Sequence, residues 1–202
     1  MDFDTAIKTR HACKIFKDTK INQKDLEVIL NAGILSPSSH GFEPWKFLVL
    51  SKKEDNILLS QACYNQENVA TASHNIILLA RSDLKSKDEF AKKQVRRFCK
   101  DEEHFKKVLQ IYTHKTDKMN DKELFHYAQL QCYLALMQMS LTAMNLGIDS
   151  CMIGGYEKEE VEKIFNIKKP FECAVILALG YKKDEPKYKK QRLDFKEVVQ
   201  YL

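Results

Sequence analysis

Residues 121–146 read DKELFHYAQLQCYLALMQMSLTAMNL and form the most apolar long segment of the chain. Apolar side chains recur in it at the spacing of helix faces. They are Leu124, Ala128, Tyr133, Leu134, Met137, Leu141 and Met144. Gly147 follows at a position where a helix commonly ends. The segment predicts one long central helix, in which Met137, Met139 and Met144 fill the core rather than ligate a bound group.

The segments on both sides of this helix add strands and shorter helices. Short apolar runs at 45–50 (WKFLVL), 75–80 (NIILLA) and 172–181 predict strands. Shorter helices are predicted at 4–10, from Asn22 onward, at 56–63, within 86–112 and at 158–165. SCMIGGY (150–156) is predicted to be a turn of small residues. These elements predict a single α+β domain over residues 1–202, whose tail from Lys182 onward has no evident core of its own and suits packing on a second protomer.

The composition is that of a globular protein. Hydrophobic residues make up 44% and charged residues 30% of the chain, with a net charge of +5. No apolar run approaches the roughly 18 residues of a membrane span. The start, MDFDTAIKTR, lacks the basic-then-apolar order of a signal peptide. We therefore expect a cytoplasmic protein with no membrane partner. Its basic residues are not interleaved with aromatics, which disfavours nucleic acid as a partner.

The cysteines and histidines give no sign of a disulfide framework or a metal site. Six cysteines occur without any CxxC pair, at 13, 63, 99, 132, 151 and 173. The six histidines form no HExxH motif. We expect reduced thiols and no bound metal.

Four short segments combine small or basic residues with a turn of the chain. They are RHACK (10–14), SPSSHGFEPW (36–45), DSCMIGGY (149–156) and KKQR (189–192). Each alone has an ordinary explanation, such as a polar turn or a solvated basic tail. In this order, however, RHxxKxF, SPSSxxxxPWxF, IGG and KxR resemble the FMN-dependent nitroreductase family over nearly the whole chain. The pattern is most similar to the oxygen-insensitive NAD(P)H nitroreductases.

This resemblance implies a nitroreductase-like fold and an activity. The fold has a central, mostly antiparallel sheet flanked by helices, and its C-terminal tail is exchanged onto the partner subunit of a homodimer. NAD(P)H would reduce FMN, and a nitroaromatic or nitroimidazole compound, or a quinone, would then accept two electrons at the same face in a ping-pong cycle. The reactive atom is flavin N5, so no residue of the chain is implied to be catalytic.

The first and last segments match the family's phosphate-binding residues. Arg10, Lys190 and Arg192 are implied to bind the FMN phosphate, which the planar donor fork of arginine suits well. Lys14 is implied to lie near flavin N1 and O2, where a fixed cation favours the reduced ring. The implied cofactor contacts within the first segment are Arg10, His11, Ala12 and Lys14.

Other segments match the residues that surround the flavin ring. Asn65 is implied to hydrogen-bond the pyrimidine edge, since an amide both donates and accepts. The backbone N–H groups of Gly154 and Gly155 are implied to face N5 and O4. Met152 and Ile153 would lie against the closed face of the ring.

The second segment is implied to serve the other subunit. Pro37, Ser38 and Ser39 match a loop that reaches the flavin of the partner. His40 and Asn68 match positions that contact nicotinamide or substrate.

The sequence departs from the commoner family pattern at several positions. Ala12 replaces a frequent serine, Asn68 replaces a second lysine, and Gly41 and Glu43 replace asparagine and glutamine. Glu43 would be costly if buried without a partner, so we expect it to have a basic partner or to be exposed. These departures leave the nicotinamide preference and the substrate range open.

Three alternatives remain at this point. Cys13 lies among cations and is either a reactive thiol with a lowered pKa or a small buried residue. The same fold and flavin also serve flavin and quinone reductases, dehalogenases and enone reductases. A basic, non-enzymatic binding module is the remote alternative.

Overall fold

The fold is built around a four-stranded sheet, as shown by a computed structural model that describes residues 2–202. The strands are β1 (Trp45–Leu50), β2 (His74–Arg81), β3 (Asp149–Ile153) and β4 (Phe171–Gly180). The helices are α1 (Phe3–Thr9), α2 (Gln23–Ile34), α3 (Lys53–Ala62), α4 (Glu67–Ala70), α5 (Glu89–Arg96), α6 (Glu102–Thr113), α7 (Asp121–Asn145), α8 (Lys158–Ile164) and α9 (Phe195–Val198). Short 3-10 turns lie at Ser39–Gly41 and Thr116–Lys118. The predicted α+β class is confirmed.

The sheet has the strand order β1-β2-β4-β3, and every neighbouring pair of strands is antiparallel. Successive side chains of a strand point to opposite faces. Accordingly, Ile76 and Leu78 of β2 pack in the core that contains α7, whereas Ile77 and Leu79 pack in the core that contains α3 and α8. Both faces of β2 and β4 are covered, which explains why the sequence of each reads as a continuous apolar run.

The third strand corrects a prediction. Residues 150–156 were expected to form a turn, but Asp149–Ile153 pairs with β4, with Cys151 opposite Ala178. The turn begins only at Gly154, after the strand. Small residues and two glycines carry a local turn signal, and the pairing with a distant strand overrides that signal.

The long helix α7 is confirmed with nearly the predicted bounds. Asn120 and Glu123 form a capping box at its start. At its end, Gly147 has a φ of +76°, a left-handed conformation that glycine adopts without steric cost. Gly33 of α2 lies so close to Met139 that an added Cβ would come within 2.0 Å of its side chain. This contact brings the two helices together over the sheet. Within residues 2–202, no helix is long and apolar enough to cross a membrane.

The apolar residues of α7 do not all face the core, which corrects the prediction that Met137 fills it. Met139 is buried, but Leu134 is 46% and Met137 is 41% exposed. Leu130 and Tyr133 on the same side are also exposed. Together with Leu134 and Met137 they form a surface that we call the α7 apolar face.

The charge-rich segment 86–112 is broken into two helices, as its sequence allowed. The break lies between α5 and α6, where the Asp101 side chain accepts a hydrogen bond from the His104 backbone N–H and starts α6. Aspartate at this position stabilises a new helix rather than the continuation of the old one.

His74, at the start of β2, is expected to make the stability of the fold depend on pH. It is 6% exposed, and its Nδ1 lies 2.9 Å from the Ser73 hydroxyl. Burial first, and Lys20 second, lower its pKa below the ordinary 6.5. The unfolded chain therefore takes up a proton at His74 more readily than the folded one. The contribution of His74 to stability should be complete above about pH 7.5 and should be lost as the pH decreases from 6.5 through its lower folded pKa.

This expectation can be measured as the melting temperature between about pH 8 and pH 5. His74→Gln should flatten the decline, whereas His114→Gln, at an exposed position on another element, should leave it unchanged. A decline of equal steepness in wild type and His74→Gln would contradict the assignment.

Candidate functional site

Three of the four segments singled out in the sequence meet in space. Ala12 and Ser150 form an isolated parallel bridge, and the Cys13 backbone N–H donates to the Ser150 carbonyl at 3.0 Å. The C-terminal tail joins them, because the Lys183 N–H donates to the Ile15 carbonyl at 3.0 Å. The first segment is therefore held between β3 and the start of the tail.

A groove lined almost entirely by cations and small residues lies where the first segment faces the tail. We call it the cationic groove; it is lined by Lys8, Thr9, Arg10, His11, Ala12, Pro186, Tyr188, Lys189, Lys190 and Arg192 and encloses about 450 Å³. The Lys190 ammonium donates to the Ile7 carbonyl at 2.6 Å, which ties the tail to α1. The structure thus brings together Arg10, Lys190 and Arg192, the three predicted phosphate ligands.

Three cations of this groove lack acidic partners within residues 2–202, whereas Lys8 pairs with Asp4. Among residues 2–202, no carboxylate forms an ion pair with Arg10, Lys190 or Arg192. Burial first, and Arg192 second, lower the pKa of Arg10. Burial lowers the pKa of Lys190 as well, with Arg10 and Arg192 adding to the effect. Like charges held together without a counterion make a site that favours an anion.

A second groove continues the first. It encloses about 510 Å³ and shares His11, Ala12, Pro186 and Tyr188 with the cationic groove. Lys14 and Ile15 line it, and Glu67, Asp184 and Glu185 contribute the only acids among its described lining residues. Arg10, Lys190 and Arg192 therefore line one of the two adjoining grooves, and Lys14 lines the other.

His11 and Ala12 lie at the junction of these two grooves. The imidazole Nδ1 of His11 is 3.3 Å from the Thr9 carbonyl, and its Nε2 is 3.9 Å from an Asp149 carboxylate oxygen. Asp149 also accepts the Lys182 N–H at 3.0 Å. Ala12 is exposed. Their contact with a cofactor stays a prediction.

The segment around Asn65 lies beside the glycine turn that follows β3. The Gln66 side-chain N–H donates to the Gly155 carbonyl at 2.8 Å. Asn65 is exposed, and its carboxamide makes no hydrogen bond within the described part of the chain. A Cβ added at Gly154 would meet no atom within 4 Å, so the space beside this backbone is open. Ile153 is buried in the core behind the turn, and Met152 is half-buried.

Asn68 lies beneath this surface. It is 3% exposed, and its Nδ2 donates to the Cys151 sulfur at 3.1 Å. A longer contact of 3.5 Å joins Nδ2 to the Cys13 carbonyl. The side chain is therefore turned toward two cysteines, and its contact with nicotinamide or substrate stays a prediction.

The geometry decides between the two interpretations of Cys13. Cys13 is 2% and Cys151 is 3% exposed. Burial raises the pKa of Cys13 to about 11. Burial also raises the pKa of Cys151, although Lys14, Asn68 and Arg10 act in the opposite direction. Both groups stay protonated at neutral pH, so the alternative of an activated thiol is wrong and the small buried residue is favoured.

We expect alkylation to reflect this burial. Iodoacetamide at about pH 7.5 should modify Cys99, which is half-buried, before the five buried cysteines. Peptide mapping by mass spectrometry would follow each site, with the urea-unfolded chain as the control in which all six react alike. Modification of Cys13 or Cys151 as fast as Cys99 would contradict the assignment.

The loop 36–45 lies apart from the grooves and against α7. The Ser39 N–H donates to the Gln131 carboxamide at 2.9 Å, and the Ser38 hydroxyl accepts the Glu43 N–H at 2.9 Å. No hydrogen bond or ion pair described for this chain joins the loop to segments 10–14, 149–156 or 189–192. Pro37 at its start is exposed.

The loop 36–45 has two further features, one at Glu43 and one at His40. Glu43 pairs with Arg97 at 2.8 Å, which confirms the expected basic partner. His40 is exposed with a φ of +56°, and its ring lies 4.6 Å from the Tyr112 ring, centroid to centroid. The loop therefore presents an imidazole at the surface, fixed by an aromatic residue of α6.

Two residues near the site were not predicted from the sequence. Tyr188 lines both grooves, and the only signal for it was an aromatic residue within a basic tail. Tyr64 donates its hydroxyl to Glu157 at 2.6 Å, beside the glycine turn. Glu157 and Tyr64 are far apart in the sequence, so no local pattern links them.

Comparison with known proteins identifies the family of this chain. The Nitroreductase family matches residues 7–181. A Bacillus subtilis (strain 168) protein, YfkO, named for an inferred NAD(P)H nitroreductase activity, is 33% identical over 218 residues, covering 98% of this chain and 96% of its own. A Staphylococcus epidermidis protein with a corresponding name, SERP2086, is 32% identical over 212 residues, covering 98% of this chain and 95% of its own.

Solved structures agree on the fold. The nitroreductase family protein from Streptococcus pneumoniae TIGR4 is 28% identical with a TM-score of 0.85, and each chain is covered to 100%. A protein of Exiguobacterium sibiricum 255-15, solved in complex with FMN, is 24% identical with a TM-score of 0.85, covering 100% of this chain and 98% of its own. The family match over residues 7–181 and the shared arrangement of sheet and helices show that the chain belongs to the nitroreductase family of oxidoreductases.

Proposed function

We propose that this chain is an FMN-dependent NAD(P)H oxidoreductase that acts as a homodimer and reduces nitroaromatic or nitroimidazole compounds, and quinones. The observation that supports it best is the cationic groove, where Arg10, Lys190 and Arg192 converge without a carboxylate partner among residues 2–202. A phosphate dianion relieves the repulsion between these side chains and satisfies their donors. The FMN of the Exiguobacterium sibiricum protein makes this the cofactor to test first.

The residues present offer groups suited to the phosphate and to the ring of FMN. Arg10, Lys190 and Arg192 would hold the phosphate at the cationic end. The second groove leads from there toward Lys14, which would place a fixed positive charge beside the pyrimidine part of the ring. Asn65 offers an exposed carboxamide without a partner in the described chain, matched to a ring edge that both donates and accepts.

The glycine turn completes the proposed site. Open space lies beside Gly154, so the ring can approach the backbone closely there. The N–H groups of Gly154 and Gly155 are proposed to face N5 and O4. Met152 and the buried Ile153 would cover the closed face. FMN, when bound, supplies hydride acceptance from NAD(P)H and two-electron delivery to the acceptor. The chain supplies orientation, fixed charge and exclusion of water from one face.

A homodimer is proposed because the single chain leaves apolar surface uncovered. The α7 apolar face is joined by Phe3 and Ile7 of α1, which are 67% and 45% exposed. The tail adds Leu193, Phe195, Val198, Tyr201 and Leu202, all exposed. Exposed apolar side chains on α7, on α1 and in the tail suit pairing of two identical copies.

The position of the loop 36–45 gives a further reason for a dimer. This loop lies against α7 rather than beside the grooves of its own chain. In a symmetric dimer that pairs the α7 faces, Pro37, Ser38 and Ser39 are proposed to reach the flavin of the partner subunit. His40 and Asn68 are proposed to serve nicotinamide or substrate, His40 from this loop.

The decisive experiment is the visible spectrum of the purified protein. We expect flavin absorbance, with added FMN where purification removes it, and bleaching by NADPH or NADH under anaerobic conditions. A nitroaromatic, a quinone and an enone supplied separately to the reduced protein should restore the oxidised spectrum at different rates. Those rates identify the acceptor class.

Each possible outcome tests a different part of the proposal. A colourless protein that fails to bind added FMN would contradict the cofactor. A flavin that neither nicotinamide bleaches would contradict the donor. Fast reoxidation by the enone alone would assign the enone reductase alternative.

A further inference from the structure

The end of α3 has an unusual residue in a strained conformation. Cys63 caps the helix, and the Asn65 N–H donates to the Ser60 carbonyl at 2.8 Å, the hydrogen bond of a Schellman motif. In this motif, the residue that lies between the capping residue and the N–H donor, here between Cys63 and Asn65, has left-handed backbone angles and is usually glycine. Here it is Tyr64, with a φ of +57°, followed by Asn65 at +55°. A bulky residue is seldom held in this region unless its surroundings fix it.

The surroundings of Tyr64 explain why it is retained. Its hydroxyl donates to the Glu157 carboxylate at 2.6 Å, and this hydrogen bond raises the pKa of the phenol. Its ring carbons lie 3.7 Å from the point where a Cβ of Gly155 would stand. The tyrosine therefore packs against Gly155 and is tied to the residue that precedes α8.

Two more hydrogen bonds fasten the same pair of segments. The Gln66 side chain donates to the Gly155 carbonyl at 2.8 Å, and the Glu157 N–H donates to the Ala62 carbonyl at 2.8 Å. Residues 62–66 and 155–157 are thus joined at three hydrogen bonds and one ring contact. Asn65 lies in the middle of the first segment, and its side chain takes no part in these contacts.

We propose that Tyr64 is a positioning residue for flavin binding: through Glu157 and Gly155 it holds the Asn65 carboxamide at a fixed place relative to the backbone N–H groups of the glycine turn. This inference rests on the proposed function. A rigid tricyclic ring has its pyrimidine edge and its N5 edge at a set separation. A site that binds both edges must therefore hold the Asn65 segment and the glycine turn at a matching separation.

The test measures FMN affinity, spectrum and stability together. Apoprotein is titrated with FMN by fluorescence quenching for wild type, Tyr64→Phe and Tyr64→Gly. Loss of the hydroxyl alone should weaken binding about three- to tenfold, and loss of the ring as well should weaken it about tenfold or more. The visible spectrum of the bound flavin should shift toward that of free FMN. The melting temperature of the Tyr64→Gly apoprotein should not fall, since glycine suits this backbone.

The chain offers a matched control. Asn166 follows α8 with a φ of +52°, and the Ile167 N–H donates to the Glu162 carbonyl in the same motif. Asn166→Gly should leave FMN affinity unchanged. Glu157→Gln keeps an acceptor oxygen and should bind FMN nearly as wild type, whereas Glu157→Ala should match Tyr64→Phe.

The outcomes separate this inference from the function on which it rests. Wild type and both Tyr64 variants binding FMN with equal affinity and equal spectra would overturn the positioning role alone. An equal loss of affinity in Asn166→Gly would also overturn it, because the effect would then belong to helix ends in general. A wild-type chain that binds no FMN would overturn the proposed function and this inference with it.

Discussion

Arg10→Ala is expected to release FMN while leaving the chain folded. Arg10 is half-buried beside Arg192 and Lys190, in a groove with no acidic partner for it within residues 2–202. Hydrogen bonds to a charged group contribute about 1.5–3 kcal/mol, so FMN affinity should fall on the order of 10- to 100-fold. Because the removed charge repels its neighbours, the apoprotein should keep or slightly raise its melting temperature.

The measurement is an FMN titration of the apoprotein beside a thermal melt. Arg192→Ala should act in the same direction. Lys24→Ala removes one cation from an exposed position on α2 and controls for net charge. Unchanged FMN affinity in Arg10→Ala, or an equal loss in Lys24→Ala, would remove Arg10 from the phosphate site.

Leu134→Lys is expected to abolish both dimerisation and flavin binding. Leu134 is 46% exposed in the centre of the α7 apolar face, between Leu130 and Met137. A charge there costs little in a single chain, because the side chain reaches water. Between two copies it would be buried without a partner, which costs several kcal/mol and is paid in both halves of a symmetric interface. Flavin should leave with the partner that completes its site.

Light scattering coupled to gel filtration would report the mass, and the visible spectrum would report the flavin. Ile57→Lys, on α3 at 44% exposure, is the matched control for a lysine at a half-exposed apolar position. A dimeric, yellow Leu134→Lys protein would show that this face does not hold the subunits together. A dimer that loses its flavin would place the residue at the cofactor rather than at the contact.

Sequence patterns predicted most elements of this fold because their signals are local. β1 has the predicted bounds, Trp45–Leu50, since it is an apolar run between turn formers. Asn22 caps α2 as expected, with its side chain accepting the Asp25 N–H. β3 was missed because Ser150 and Cys151 are weak strand formers, and their extended conformation depends on β4, which lies later in the chain.

The two sides of α7 could not be separated from its sequence. Periodicity shows that Leu134 and Leu136 are both apolar, but not which of them faces the sheet. Leu136 is fully buried, and Leu134 is half-exposed. One side of α7 packs on the sheet of its own chain, and the other side is apolar as well. The sequence therefore has no polar stripe that marks the exposed side.

The candidate site was predictable only in part. Arg10 and Arg192 were named from a resemblance, since nothing local to either residue shows that the two ends of the chain meet. The structure supplies what the pattern lacked: the tail returns along the first segment through the Lys183 and Ile15 hydrogen bond. Tyr64 was missed because tyrosine is an unusual residue at a helix end, and its partner Glu157 belongs to a different part of the chain.

The cations beside the tail, which have no acidic partner within residues 2–202, also affect how the protein should be handled. Arg10, Lys190 and Arg192 repel one another until a dianion arrives, and any dianion of the right size meets that need. Inorganic phosphate and sulfate in a buffer are therefore expected to compete with the proposed FMN for this groove and to stabilise the protein without it. If the proposed cofactor is bound here, preparations made in such salts should contain less flavin than preparations made without them.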